Sequence, residues 1–285
     1  MRSRPINTPI ECLEARRLLA VSATTLAGPQ TVGFSRTYNA TSSGLGPAGT
    51  SIMFEINGGG AKLDGLRVLR VDQSFKTTTP TVMRTAASSY QRLDGLGLRV
   101  FQTSTRARTS VSLTTFDPFV LSVPPSMVAG KSYPKEYTAT RRAVSNPSVP
   151  PVVTTYTSSV RLVSEKPVGV RTRAGRFAAY ELVTETTGRN AAGTATTVSR
   201  AWIVPSIGMV KMVTTSPGST LQSTFDLRSY LLAQAKVAAV AGDAKPRTAS
   251  VVSRGPLVLG AKTFLHLGTR VRIADALLAS AKDVR

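Results

Sequence analysis

From Thr31 onward, short runs of β-branched, aromatic and aliphatic residues alternate with breaks rich in Gly, Pro, Asn and Asp, which predicts successive strands rather than helices. Strands are expected at Val32 to Tyr38, Ser51 to Ile56, Leu66 to Phe75, Val82 to Leu93, Leu96 to Thr105 and Val111 to Val123. Further strands are expected from Gly130 to Ala143, Val152 to Ser164, Val168 to the Arg173-Ala174-Gly175 turn, Phe177 to Glu185, Val198 to Val204, Met209 to Thr215 and Leu221 to Leu232. Pro124-Pro125 must end the strand before it, because proline cannot donate to a ladder. Along Phe177 to Glu185 the alternation places Glu181 beside apolar neighbours, so it needs either water or an arginine partner.

The breaks specify hairpins. Leu63-Asp64-Gly65-Leu66 recurs as Leu93-Asp94-Gly95-Leu96, and Asp-Gly between apolar flanks is a two-residue hairpin signal. Two copies are too few for a repeat architecture, so both read as turns within one meandering sheet. Asn57-Gly58-Gly59-Gly60 and Gly188 to Gly193 read as loops; the first lacks the Lys-Ser/Thr ending of a phosphate cradle. The expected division is a leader segment over residues 1–28, a β domain over 29–232, and a linker with a partly helical or disordered tail over 233–285. Short helices are expected at both ends, the later ones in the Ala- and Leu-rich stretches Leu231 to Ala241 and Ile273 to Ala281.

Charge changes the picture more than composition does. The net charge is +21, carried by scattered arginines rather than a dense basic run. Such a surface attracts acidic polymers or anionic head groups. With no reading helix and no aromatic-interleaved basic motif, specific nucleic-acid recognition is not expected. No apolar stretch is long enough for a membrane-spanning helix. Arg171, Arg173 and Arg176 cluster at one turn and could grip an anionic group, with Trp202, the single tryptophan, as a further candidate ligand contact. Phe177, Trp202, Met209 and Met212 otherwise read as core.

Nucleophile chemistry is poorly provided for. The one cysteine, Cys12, and the one histidine, His266, lie near opposite ends, which leaves the strand-rich body without a Ser-His or Cys-His pair or a His/Cys zinc site. No cofactor is expected. Glu181 and Glu185 share a strand face about 13 Å apart, too far for a directly coupled pair, so a carboxylate-dependent hydrolase is the weaker alternative.

Two resemblances add to this reading. Leu13-Glu14-Ala15-Arg16-Arg17-Leu18-Leu19 resembles the LEPR-xLL sorting segment of certain compartmentalised bacteria, with Leu13, Glu14, Arg16, Leu18 and Leu19 carrying the likeness and Ala15 where that family has Pro. It implies export or envelope sorting. In the body, Asp94-Gly95-Leu96, Val120 to Pro124, Gly130 to Tyr133, Ala174 to Leu182 and Trp202 to Lys211 follow an order similar to that of the lipoprotein carriers LolA and LolB. That resemblance implies a single curved antiparallel sheet, an open half-barrel with an apolar concave face, and no catalytic residues. The expectation is therefore a mainly β, non-enzymatic protein, exported or in the cell envelope (periplasm or cell surface). It would bind or scaffold, with a lipid or other amphiphile in the concave face, or serve as a structural matrix protein held to an acidic envelope polymer by charge.

Overall fold

A computed structural model of the chain describes residues 20–43, 50–77, 84–107, 110–218 and 222–231. The sorting motif, His266 and the tail from 232 onward lie outside the described residues. Fifteen strands and one short helix are formed among them. In chain order these are β1 (Val21–Ser22), α1 (Ala23–Ala27), β2 (Ser35–Ser43), β3 (Thr50–Leu63), β4 (Leu66–Thr77), β5 (Arg84–Asp94), β6 (Gly97–Ala107) and β7 (Ser110–Val123). They continue with β8 (Ser126–Met127), β9 (Ser132–Ala143), β10 (Val152–Leu162), β11 (Val168–Thr172), β12 (Gly175–Asn190), β13 (Gly193–Val204), β14 (Gly208–Thr215) and β15 (Gln222–Leu231).

The main sheet runs β10-β9-β7-β6-β5-β4-β3-β2-β15-β14-β13-β12, antiparallel throughout, and β12 pairs back onto β10. The result is a closed twelve-stranded barrel, which corrects the open half-barrel expected from the sequence and from the LolA/LolB resemblance. The physical reason lies in β12. Its first residues, Gly175 to Ala179, pair with β11 in the expected hairpin, but the strand continues to Asn190 and offers the rest of that same edge to β10, with Leu182 to Arg189 opposite Leu162 to Thr155. The stretch from Gly188 to Asn190, expected to be loop, is thus strand, and only residues 191–192 turn between β12 and β13. Closure removes the unpaired edges that an open sheet would present. Helix is almost absent from the described residues: α1 has five residues.

The two Asp-Gly echoes form different turns. Asp64 and Gly65, at φ 47° and 79°, are the two central residues of a hairpin between paired Leu63 and Leu66, the type I′ geometry. In the second copy the turn slips by one residue: Asp94 pairs Gly97, Gly95-Leu96 form the tip, and the Asp94 carboxylate accepts from the Leu96 N–H at 3.0 Å. Gly97 takes the positive φ, 97°, and presses so closely on the Val123 carbonyl that a Cβ would clash.

A barrel of about eight strands is just filled by its own side chains, and a larger one has room to spare. Here the chain before β2 fills one end. Ser22 caps α1 by accepting from the Thr25 N–H at 3.2 Å, β1 pairs with β8, and Leu26 is 2% exposed among Leu98, Val123, Met127, Ile203 and Ile207. Asn57 pins the return of this plug by donating from Nδ2 to the Pro29 and Thr31 carbonyls at 2.8 and 3.1 Å. Ala23 and Leu26, within the expected leader segment, are therefore part of the barrel's core. At the other end the interior is rich in hydroxyls: Thr114, Thr154, Ser158, Thr184, Thr197 and Thr214 are all buried.

Candidate functional site: a polar row in the barrel interior

Of the residues expected to contact a ligand, the three arginines share the β11–β12 hairpin, and Trp202 lies on β13. Arg171 opposes Arg176 across the β11–β12 hairpin, and both are exposed on the outside of the barrel. Arg173 sits in the turn and reaches Asn39 of β2, donating to its side-chain oxygen from Nε at 2.7 Å and Nη1 at 3.2 Å when the amide is turned toward it. Trp202 lies half-buried on β13 between Glu181 and Lys211 in register, with the Lys211 Nζ 5.8 Å from its ring centre. Glu181 does find an arginine: Arg200 Nη1 lies 3.0 Å from its Oε1. Glu185 is exposed on the same outward face. None of these side chains lines the interior cavity. Met209 and Met212 do line it.

The interior instead carries a row that sequence reasoning missed. Arg36 on β2, Glu55 on β3 and Gln73 on β4 are consecutive partners across the antiparallel ladder, so their side chains emerge at one level on one face. Arg36 donates from Nη2 to Glu55 Oε1, and Gln73 donates from Nε2 to Glu55 Oε2. Arg36 Nη1 donates to the Ile207 carbonyl at 3.0 Å. One level along, Tyr38, Met53 and Phe75 are likewise in register, and the Tyr38 hydroxyl donates to the Met209 carbonyl at 2.7 Å. Two glycines make room. Gly208, at φ 84°, has Arg36 Nη1 where a Cβ would stand, and Gly28, at φ 71°, lets the plug lie against the Gly208 backbone.

The row misled the hydrophobic pattern because β3 is inverted. Its even positions, Ile52, Phe54 and Ile56, look like the core face yet face outward and are half-buried, whereas Met53, Glu55 and Asn57 point in and are buried. The glycines that follow were expected to be a loop. They lie within β3, where the register shifts between Asn57 and Gly60. One signal was available in principle: Glu55 sits mid-strand between Phe54 and Ile56, and a charged residue is seldom buried unless paired.

Electrostatics ties the row together. Burial works against the Arg36 charge, but the adjacent Glu55 carboxylate and Tyr38 together outweigh it and the guanidinium pKa is raised. Burial pushes the Tyr38 phenol well above its ordinary value, against the opposing pull of Arg36. One group stays unsatisfied: the Arg36 Nε is buried and has no hydrogen-bond partner. Leaving such a donor unpaired costs about 1–3 kcal/mol.

Arg36, Glu55 and Gln73 form part of the wall of a cavity of about 160 Å³. Leu26, Val71, Leu98, Phe116, Val120, Leu182, Ile203, Met209 and Met212 are among its apolar lining, and Gln30, Asn57, Ser89, Gln91, Thr103 and Ser122 add neutral polar groups. Nearby the barrel wall loosens. Pairing between β7 and β9 ends at Asp117 opposite Thr138, and beyond it Phe119 and Lys135 meet side chain to side chain, with Nζ 4.7 Å from the ring centre. Among the described residues no cluster of His, Cys, Asp and Glu could hold a metal ion. No helix of the described residues is long and apolar enough to cross a membrane.

No protein-family model matches the chain, and no curated protein matches it. Among solved structures the chain is similar to a protein described as a lipoprotein from Parabacteroides distasonis, with 13% identity over 73% of this chain and 99% of that one, at a TM-score of 0.44. It is also similar to a protein described as exported, with a YmcC-like fold, from Bacteroides fragilis, with 14% identity over 73% of this chain and 100% of that one, at a TM-score of 0.46.

Proposed function

We propose that this is a non-catalytic binding protein, exported or held in the cell envelope, whose barrel takes up an amphiphilic molecule. The observation that carries the reading is the interior cavity, whose wall combines apolar side chains with the Arg36–Glu55–Gln73 row and a further set of neutral polar residues, Gln30, Asn57, Ser89, Gln91, Thr103 and Ser122. Ligand sites combine apolar walls with a few placed polar groups in this way. The ligand sits inside the barrel rather than on an open concave face, and the exposed arginines of the β11–β12 hairpin take no part in holding it. Export draws its support from the Leu13 to Leu19 motif. The outer wall bears Arg70, Arg92, Glu136, Arg161, Glu185, Arg189 and Arg200, a charged face suited to water and unlike the apolar belt of a transmembrane barrel. Calorimetric titration of the refolded, lipid-free chain with octanol and octanoate tests the binding reading. Saturable uptake of one molecule per chain is expected for at least one of them, and Val100→Phe, which puts a ring into the cavity, should abolish it. Absence of saturable uptake rejects the reading.

A second reading has its own observation: Arg171 opposes Arg176, and Arg173 projects from the same exposed hairpin. Such a patch suits a matrix protein held to an acidic polymer by charge. Retention on a polyanion that disappears by about 0.5 M salt, with a loss for Arg171→Ala/Arg176→Ala, would favour it.

A further inference from the structure

Resting on the binding reading of the barrel, we propose that the interior site selects an amphiphile with a neutral, multiply hydroxylated head, a glycerol or sugar group, which docks on Ser89, Gln91 and Thr103. These three side chains form one patch of the cavity wall. Ser89 on β5 and Thr103 on β6 are direct partners across the ladder, and Gln91 follows two residues along β5 on the same face. Among the described residues none of the three side chains has a hydrogen-bond partner. Ser89 and Thr103 are each only 8% exposed, yet their hydroxyl oxygens are open to the cavity, in contrast to the sealed Arg36 Nε. Buried polar groups are ordinarily paired, so two adjacent hydroxyls and a carboxamide left free in a cavity wall mark a place where a partner arrives from the cavity.

The neighbouring polar groups are already committed. Gln30 donates to the Gly28 carbonyl at 3.2 Å, and Asn57 donates to those of Pro29 and Thr31, so both amides hold the plug in place. Arg36 and Gln73 are bonded to the two oxygens of Glu55. The free patch therefore sets the head group. A hydroxyl and a carboxamide each donate and accept. A vicinal diol or a sugar ring does the same at adjacent positions and answers all three side chains at once, whereas a lone alcohol cannot. A carboxylate only accepts, so it leaves the Gln91 carbonyl oxygen without a donor, and Arg36, the one cation of the lining, is already paired with Glu55.

The alkyl part has its own surface beside the patch. Val71 is opposite Ser89, Val100 opposite Gln91 and Val120 opposite Val100, with the adaptable Met209 and Met212 contributing from β14.

The test compares four compounds that share an eight-carbon chain: 1-O-octylglycerol, octyl glucoside, octanol and octanoate. Each is titrated calorimetrically into the full chain below its micelle concentration. At least one of the first two is expected to bind about tenfold more tightly than octanol or octanoate, the gain of one or two net hydrogen bonds. Which of them leads separates a glycerol head from a sugar head. In Ser89→Ala/Thr103→Val that advantage should fall to about threefold or less while octanol affinity stays the same. The unfolding midpoint should not drop, because the folded protein loses no hydrogen bond of its own. Gln91→Leu, at a half-buried position, should likewise weaken the hydroxylated heads and leave octanol unaffected. Equal affinity for octanol and the hydroxylated heads, a preference for octanoate, or an advantage that survives both variants overturns the proposal. If octanol or octanoate alone is taken up, the proposal fails and the binding reading of the barrel stands. If all four compounds fail, both fall.

Discussion

The two ends of the barrel interior are built from different materials. The plugged end packs Leu26, Phe34, Leu98, Met127, Leu162, Ile203 and Ile207 into one apolar cluster, and the Arg36–Glu55–Gln73 row borders it. The other end relies on hydroxyls, with pairs such as Ser158–Thr186 at 3.1 Å and Ser199–Thr214 at 2.9 Å, and a small aromatic group in which Tyr137 stacks on Tyr156 at 5.1 Å. Aliphatic packing is irreplaceable volume, and a buried ion pair is intolerant of losing one member. Neutral hydroxyl pairs are individually cheap to lose. The contrast implies that stability is concentrated at the plugged end.

The largest effect should come from Glu55→Ala, which leaves the Arg36 charge buried and unpaired. A loss of about 3–5 kcal/mol is expected in denaturant unfolding. A loss under ~1 kcal/mol would mean that water reaches the row freely. Next comes Leu26→Ala in the plug, expected to cost about 2–5 kcal/mol by the same measurement because the helix cannot collapse into the space it vacates. An unchanged midpoint would show that the plug is dispensable and the contrast unfounded.

A pH effect follows at the same end. Burial raises the Asp94 carboxyl, but the Leu96 N–H, Arg99 and Arg92 together bring its pKa below the ordinary carboxylate value. A lowered folded-state pKa means that its stabilisation is fully present above the unfolded value of ~4 and fades as pH falls through the lower folded value. Asp94→Asn should therefore flatten the stability profile only on the acid side, below about pH 5, as read from thermal midpoints across pH. A parallel shift at every pH would assign Asp94 a turn role alone. The smallest effect is expected from Thr214→Val at the hydroxyl end, where one neutral bond to Ser199 is lost, at about 0.5–1.5 kcal/mol. A larger loss there than for Leu26→Ala would invert the comparison.

Much of the strand order was readable because hairpins are local. The Asp64-Gly65 turn, the Arg173-Ala174-Gly175 turn and the stop at Pro124-Pro125 are written in residues whose backbone preferences act within a few positions. The slipped second echo shows the limit. Gly97 rather than Gly95 takes the positive φ, and Asp94 is held by Arg99 and Arg92 from outside the turn. The candidate site was hidden for a related reason. Which face of β3 turns inward was decided by its partners, and it is the face of Met53, Glu55 and Asn57 rather than that of the apolar Ile52, Phe54 and Ile56.

By itself the sequence determined an all-antiparallel succession of strands, a basic exterior and a body without thiol or imidazole, because these follow from residue type and short-range periodicity. Only the tertiary structure decided that β12 closes onto β10, that the segment before β2 plugs the barrel, and that Arg36, Glu55 and Gln73 line up inside. Those outcomes depend on edges and faces contributed by residues far apart in the chain, and no local preference of theirs records which partner each will meet.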